Sequence, residues 1–361
     1  MKKADHLMKQ AVRDHVFPGG VLLVSKQGNT LFHNAYGKAN IYSDLSVDND
    51  TVFDLASLTK PLATTLAVMK LIDKGALTLE DTLGRMLPEF KGTPKETITV
   101  CQLLDHTSGL PDYRPYYQDL VEVSYDRRRT VLKALLVKEE LIHPSGKTTV
   151  YSDLGFMILG WIVESVSGLG LNSFVEKSIY SPMGLTNLFF IPINESGIGA
   201  NTGNRRFAAT EKCPWRKRVV EGVVHDDNAF ITGGVEGHAG LFGTAGEVNR
   251  LLVTLLDTLY NKTGSGIFSK EILHRFFRIP NKNNRRALGF DIPSPNDSSS
   301  GKYFSDHTVG HLGFTGTSFW MDLTRSVVVV LLTNRIHPDR GNEKIKTFRP
   351  GLHDAVMQQL V

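Results

Sequence analysis

The chain has 361 residues, of which 41% are hydrophobic and 22% charged, and a formal net charge of +4. That composition suits a folded globular protein and excludes extensive disorder. Lysines and arginines are scattered, densest at Arg127-Arg128-Arg129, and read as a solvated face with no nucleic-acid footprint.

Residues 3 to 16 are expected to form a short helix closed by Phe17-Pro18-Gly19-Gly20. The N-terminus starts basic but has no signal-peptide apolar run, so the chain as given reads as unexported unless a leader was removed. No run of eighteen apolar residues follows, so no membrane segment is expected. Two stretches rich in β-formers flank Lys26-Gln27-Gly28-Asn29, which predicts a β-hairpin. A helix headed by Ser57 is expected to run to about Lys74 and stop at Gly75.

From 76 to 240 strands are scarce. Helical periodicity appears at 97–105, 119–140 and 154–167, the last placing Leu154, Ile158, Trp161 and Ile162 on one apolar face and ending at Gly168. Residues 191–240 are rich in Gly and Asn and irregular, as functional loops often are. Helices return at 245–261 and 269–277, "SPNDSSSGK" is a turn-rich connection, and "HDAVMQQLV" closes the chain as a helix. Before that helix come two β-rich runs, "TVGHLGFTGTSFWMDL" and "RSVVVVLLTN", joined at Thr324-Arg325.

Strands at both ends with helices between them predict an α/β protein of the α+β kind. One antiparallel sheet, flanked by helices, is built from both chain ends and carries a mainly helical insertion. On this reading 1–75 and 241–361 form the sheet-and-helix domain and 76–240 the insertion. Cys101 and Cys213 have no zinc-like spacing and read as free thiols.

The segment "FDLASLTKPLATT" poses a choice. Ser57 has the place of a helix cap, but Lys60, three residues on, shares its helix face and would reach its hydroxyl. Spacing alone does not decide, because Ser299 and Lys302 repeat it in a glycine-containing loop with no helix behind them. Tyr151 and Asp153 precede an apolar helix and place a phenol and a carboxylate two residues apart, although Asp153 also suits a cap. A cationic or hydrogen-bonding residue on a strand would complete a nucleophilic site. Three stretches compete for that place: Lys262-Thr263-Gly264 between helices, His238-Ala239-Gly240 before a helix, and His311-Leu312-Gly313 within a β-run.

Ser57-Leu58-Thr59-Lys60, Tyr151-Ser152-Asp153 and His311-Leu312-Gly313, in this order, resemble the motifs of the penicillin-recognising serine hydrolases: class C β-lactamases, D,D-peptidases, D-aminopeptidases and related esterases. "LLDHTSGLPDY" and "GGVEGHAGLFGTAGEV" also look like stretches common in that family, and the resemblance spans roughly residues 17 to 335. It implies a serine β-lactamase or D,D-peptidase-like fold and hydrolysis of an ester or amide through a seryl acyl-enzyme. Ser57 would be the nucleophile, and neutral Lys60 or ionised Tyr151 its proton acceptor. The N–H groups of Ser57 and Phe314 would form the oxyanion hole, with Asp153, His311 and Gly313 binding or orienting substrate. The expected partner is a small ester, amide or peptide, including peptidoglycan-derived ones, with no cofactor. The alternative is a catalytically weak penicillin-binding or scaffolding protein of the same fold.

Two departures carry expectations. Asp153 stands where many members have Asn, and its charge would keep Lys60 protonated and shift the burden of base toward Tyr151. His311 replaces a lysine, so its grip on a substrate carboxylate should weaken as pH rises past the ordinary histidine value. Both favour a peptidase or esterase over a β-lactamase. His106 reads as part of a turn. His225, Asp226, Asp227 and His238 show no metal motif, so no metal is expected. His238 and Tyr113, the latter beside Tyr116 and Tyr117, are candidates for lining the cleft.

Overall fold

The computed structural model describes residues 1–260, 266–278 and 286–360. β1 (Gly19–Lys26) and β2 (Asn29–Asn40) turn through Gln27 and Gly28, at φ of +53° and +83°. A two-residue turn with both φ values positive matches the twist of the strands it joins. Along the chain follow β3 (Leu45–Ser46), β4 (Phe53–Asp54), β5 (Leu188–Phe190), β6 (Lys212–Cys213), β7 (Arg218–Val219) and β8 (Leu241–Gly243). The C-terminal part supplies β9 (Arg286–Ala287), β10 (Phe290–Asp291), β11 (Thr308–Leu312), β12 (Ser318–Asp322) and β13 (Val327–Thr333).

Eight of these strands form one antiparallel sheet in the order β3-β2-β1-β13-β12-β11-β10-β9. The two chain ends meet at its centre, where Gly20 lies opposite Thr333 and Lys26 opposite Val327. β13 reads Val-Val-Val-Val-Leu-Leu-Thr without alternation because both faces of the sheet are covered. On one face Leu22, Val24, Val329 and Leu331 pack with the Lys2–Arg13 and Ile345–Met357 helices. On the other, Val21, Leu23, Val328 and Val330 share a core with the Ala245–Leu259 helix. That core continues into the Leu66–Asp73 and Asp153–Ser167 helices, so sheet and helices enclose one apolar body. The smaller sheet, β4-β8-β5, lies between them in sequence and carries the residues just before Ser57.

The differences from the sequence reading have local causes. The run 308–323 is a hairpin, since Gly313 and Gly316 permit a tight reversal in which the Gly313 N–H donates to the Thr317 carbonyl at 2.7 Å and Gly316 takes φ +109°. The helix at 119–140 is two pieces, Tyr117–Leu120 and Tyr125–Lys138. Within the second, Arg129 pairs with Glu164 and Glu236 while its side chain stays 41% accessible. The last helix starts at Ile345 and accommodates Pro350, burial of Ile345, Leu352 and Val356 outweighing the proline's cost. Both cysteines are free. No single described helix is long and apolar enough to cross a membrane.

Candidate active site

Ser57 does not cap a helix. It sits in a 3-10 turn, Ala56–Leu58, followed by a π-helical segment, Lys60–Thr65, that passes into the α-helix Leu66–Asp73, with no side-chain cap at either start. The expected helix is present, but its first turns are wound differently, as at many functional sites. Ala56 takes φ +48°, a left-handed backbone that non-glycine residues rarely adopt. Buried Asp54 supports it, its carboxylate accepting from the Ala56 N–H at 2.9 Å and the His225 N–H at 2.6 Å. The β11–β12 turn is tied to the same place: Thr315 Oγ1 donates to the Asp54 carbonyl at 2.8 Å and Thr317 Oγ1 to the Leu55 carbonyl at 3.0 Å. A Cβ at Gly313 would lie 2.0 Å from Thr317 Oγ1 and 2.7 Å from the Leu55 oxygen, so glycine is what permits this approach. The next residue, Phe314, exposes its ring, 48% accessible, beside the serine turn.

Lys60 is buried completely, and its ammonium has three oxygen partners. Nζ lies 2.9 Å from Ser57 Oγ, 2.7 Å from Asp153 Oδ1 and 3.2 Å from the His238 carbonyl. It also lies 4.9 Å from the Tyr151 ring centroid. Burial alone would push this ammonium down, but Asp153 and then Tyr151 outweigh it and hold Lys60 above the ordinary lysine value. Tyr151 is raised too, because burial opposes its ionisation more than Lys60 and the hydrogen bonds with Lys60 and Ser57 favour it. At neutral pH the pair therefore rests as ammonium and phenol.

Asp153 is free to reach Lys60 because it is not the cap of its helix. Ser152 is, its Oγ accepting from the Gly155 N–H at 3.2 Å while donating to the Pro111 carbonyl at 2.6 Å. Asp153 then occupies the first helical position, where the helix dipole favours a carboxylate.

His311 lies on β11, its ring centroid 5.9 Å from that of Tyr151, with Nδ1 donating to the Leu312 carbonyl at 2.9 Å. Burial, reinforced by Lys60 and Arg286, pushes it down to about 4. The expected loss of charge near the ordinary histidine value is therefore corrected: His311 is already neutral across the physiological range. A second cation beside Tyr151, after Lys60, is Arg286 at the start of β9, its guanidinium carbon 5.2 Å from the ring centroid and paired with Asp291. Sequence gave no signal for Arg286, which belongs to no motif. His106 is also closer to the site than its turn sequence implied. Its ring packs 4.7 Å from that of Tyr151, and its Nδ1 accepts from the Ser152 N–H at 2.9 Å, fixing the backbone that presents Tyr151 and Asp153. Burial keeps it neutral.

The three motifs thus converge from separate elements upon one serine. The sequence profile of the Beta-lactamase family matches residues 4–349. The chain belongs to the β-lactamase family. It is 31% identical to the provisionally named D-alanyl-D-alanine carboxypeptidase of Escherichia coli (strain K12), across 93% of this chain and 82% of that one. It is also 31% identical to the N-acetylmuramyl-L-alanine amidase of Bacillus subtilis (strain 168), across 93% of this chain and 81% of the relative. Among solved structures, EstCE1, a hydrolase with promiscuous acyltransferase activity, shares the fold with a TM-score of 0.73 at 22% identity, covering 98% of both chains. This β-lactamase-family chain is an enzyme, a hydrolase of the serine type.

Other sequence candidates fall at various distances from the family motifs. His238 is buried, its Nε2 2.9 Å from Asp226 Oδ1. Asp153, Asp226 and His238 bring potential donor atoms within 4.8 Å of one another, with Lys60 already on Asp153. His225 and Asp227 face elsewhere, toward Glu211 and Arg216. Tyr113 is 37% exposed and feels the charges of Asp226, Asp227 and Asp153. Tyr116 bonds Glu139 at 2.7 Å, and Tyr117 stacks on Trp215. Lys262-Thr263-Gly264 lies outside the described residues. Ser299 and Lys302 hold a surface loop against the last helix through His353 and Asp354.

Proposed function

We propose that this serine hydrolase cleaves an ester or amide through an acyl-enzyme on Ser57, with short peptides ending in a D-residue carboxylate as its main substrates. The observation that carries the reading is Lys60 Nζ, buried at 2.9 Å from Ser57 Oγ and adjacent to Tyr151. In the molecules where Lys60 is unprotonated, it takes the Ser57 proton as Oγ attacks the carbonyl carbon. The N–H groups of Ser57 and Phe314 hold the oxyanion. Tyr151 protonates the leaving oxygen or nitrogen and is recharged from Lys60. Water then attacks the acyl carbon by the same proton route in reverse, releasing the acid and restoring Ser57.

Arg286 supports the carboxylate part of the proposal, being the cation nearest Tyr151 after Lys60 where His311 carries no charge. The relative named as a D-alanyl-D-alanine carboxypeptidase supports a D-residue peptide substrate, and the one named as an N-acetylmuramyl-L-alanine amidase supports cleavage of an amide.

The test offers p-nitrophenyl acetate, a D-alanyl-D-alanine peptide and a fluorescent penicillin, with mass spectrometry of the peptide bearing Ser57. Turnover of the ester and peptide with a transient adduct on Ser57 is expected; a lasting penicillin adduct without ester or peptide turnover would favour a penicillin-binding role instead. Arg286→Met should raise KM for the carboxylate-ended peptide about ten- to a hundredfold, the worth of a charge-assisted hydrogen bond, and leave the neutral ester unchanged. Equal effects on both substrates would remove Arg286 from carboxylate recognition.

A further inference from the structure

The sequence suggests His238 for the cleft wall, and the proposed acyl transfer makes no use of it. Its place is nonetheless tightly fixed. The loop that carries it is clamped to the serine helix at three successive points. Thr64 Oγ1 donates to the Gly237 carbonyl at 2.6 Å, Lys60 Nζ to the His238 carbonyl at 3.2 Å, and the Leu241 N–H to Thr59 Oγ1 at 3.0 Å. On its far side Gly237 touches the Asp153–Ser167 helix so closely that a Cβ there would come within 2.0 Å of the Phe156 carbonyl oxygen.

The ring of His238 is 1% exposed and bonds Asp226 through Nε2, while Nδ1 has no hydrogen-bond partner. Asp226 is fixed in turn, its Oδ1 accepting from the Ala229 N–H at 2.7 Å as cap of the Asp227–Ile231 helix. Asp153 lies within 4.8 Å of both. Lys60, Asp153, His238 and Asp226 therefore form one compact group, with Lys60 on Asp153, His238 on Asp226, and the imidazole within 4.8 Å of the Asp153 carboxylate without a hydrogen bond between them. The groups facing this cluster are Tyr151, His106 and His311 beside Lys60, His225 and Asp54 beside Asp226, Tyr113 near both carboxylates, and buried Glu236 on the loop itself, which turns toward Arg129.

We propose that Asp226 and His238 form a positioning pair for the reaction: the imidazolium, anchored by Asp226, shares the Asp153 carboxylate with Lys60 and so loosens the hold of Asp153 on the Lys60 proton. The inference rests on Lys60 being the base for Ser57. Its sign follows from charge alone. Asp153 favours a proton on Lys60 and on His238 alike, and the two cations disfavour each other. Asp226 keeps His238 protonated past the ordinary histidine value despite burial. A neutral side chain at 238 therefore leaves Asp153 to Lys60 alone, and Lys60 gives up its proton at higher pH.

The pH profile of kcat/KM for p-nitrophenyl acetate from pH 5 to 11, on the full chain, tests this. In His238→Gln, kcat/KM at pH 5 to 6, where His238 is charged in the parent, should fall about tenfold with KM unchanged, and the two profiles should converge at the alkaline end, where the parent imidazole is neutral as well. In Asp226→Asn the fall at low pH should be smaller. Histidine 15N shifts in Ser57→Ala protein give a readout independent of turnover and of folding of the His238 variant, and they should find His238 doubly protonated at pH 6. A neutral His238 at that pH, or a loss in the His238→Gln variant that is equal at all pH values, would overturn the proposal. Undiminished turnover by Ser57→Ala would instead overturn the assignment of the nucleophile, leaving the charge state of His238 to be judged from its nitrogen shifts.

Discussion

Ser57→Ala is expected to lower kcat for every substrate by on the order of 10⁴-fold or more while leaving the melting temperature nearly unchanged. The two halves of this expectation have separate grounds. Loss of the oxygen removes the atom that would bond to the acyl group, the oxygen that Lys60 Nζ reaches at 2.9 Å. Stability survives because Ser57 caps no helix. Lys60 retains Asp153 at 2.7 Å and the His238 carbonyl at 3.2 Å after the loss. Lys60→Met would be a poorer test of mechanism, since it strands the Asp153 carboxylate in a largely buried site and should cost about 3–5 kcal/mol of stability. Parallel measurement of turnover and thermal melting separates the cases. Ser57→Ala protein that melts normally and still turns over ester at more than about 1% of the parent rate would place the nucleophile elsewhere.

Much of this arrangement was legible in the sequence, and what was not has identifiable physics. The central strands could be read because Val21 to Val24 and Val327 to Leu332 are apolar without interruption, and the hairpin because Gln27-Gly28 tolerates positive φ. The three motifs could be ordered because each abuts a strong helix or β-run. The cap that local propensity offers wherever serine heads a helix is not formed at Ser57, because the tertiary ties from Asp54, Thr315 and Thr317 set the backbone of that turn. Asp153 does not cap its helix for a related reason: Ser152 is equally suited and accepts from the Gly155 N–H, its hydroxyl held by a long-range bond to the Pro111 carbonyl that no local pattern reveals. The charge on His311 could not be read, because its neutrality comes from burial and from Lys60 and Arg286, residues remote in sequence. Arg286 and His106 act through ring contacts with Tyr151, which leave no spacing pattern in the chain.

Asp153→Asn carries the second large expectation, a shift of the rise in kcat/KM toward lower pH by about one to three units. In the parent, both candidate bases, Lys60 and Tyr151, stand above their ordinary values. The unprotonated fraction of either grows tenfold with each pH unit below its pKa, so activity should climb with pH through neutrality and into the alkaline range. Asp153 is the strongest of the influences that raise Lys60, and burial acts against it. With asparagine the burial remains and the opposing charge is gone, so Lys60 releases its proton at lower pH. At pH 7 the variant should therefore hydrolyse p-nitrophenyl acetate at least about tenfold faster than the parent. An asparagine amide keeps a hydrogen-bond acceptor for the lysine nitrogen, so the geometry around Ser57 should be preserved. A profile that stays in place would show that Lys60 deprotonation does not limit acylation, and a uniform fall at all pH values would assign Asp153 to holding Lys60 in position. On the proposed mechanism the carboxylate at this position would set the working pH of the enzyme, and the Asp226–His238 pair would moderate it below the pH at which His238 loses its charge.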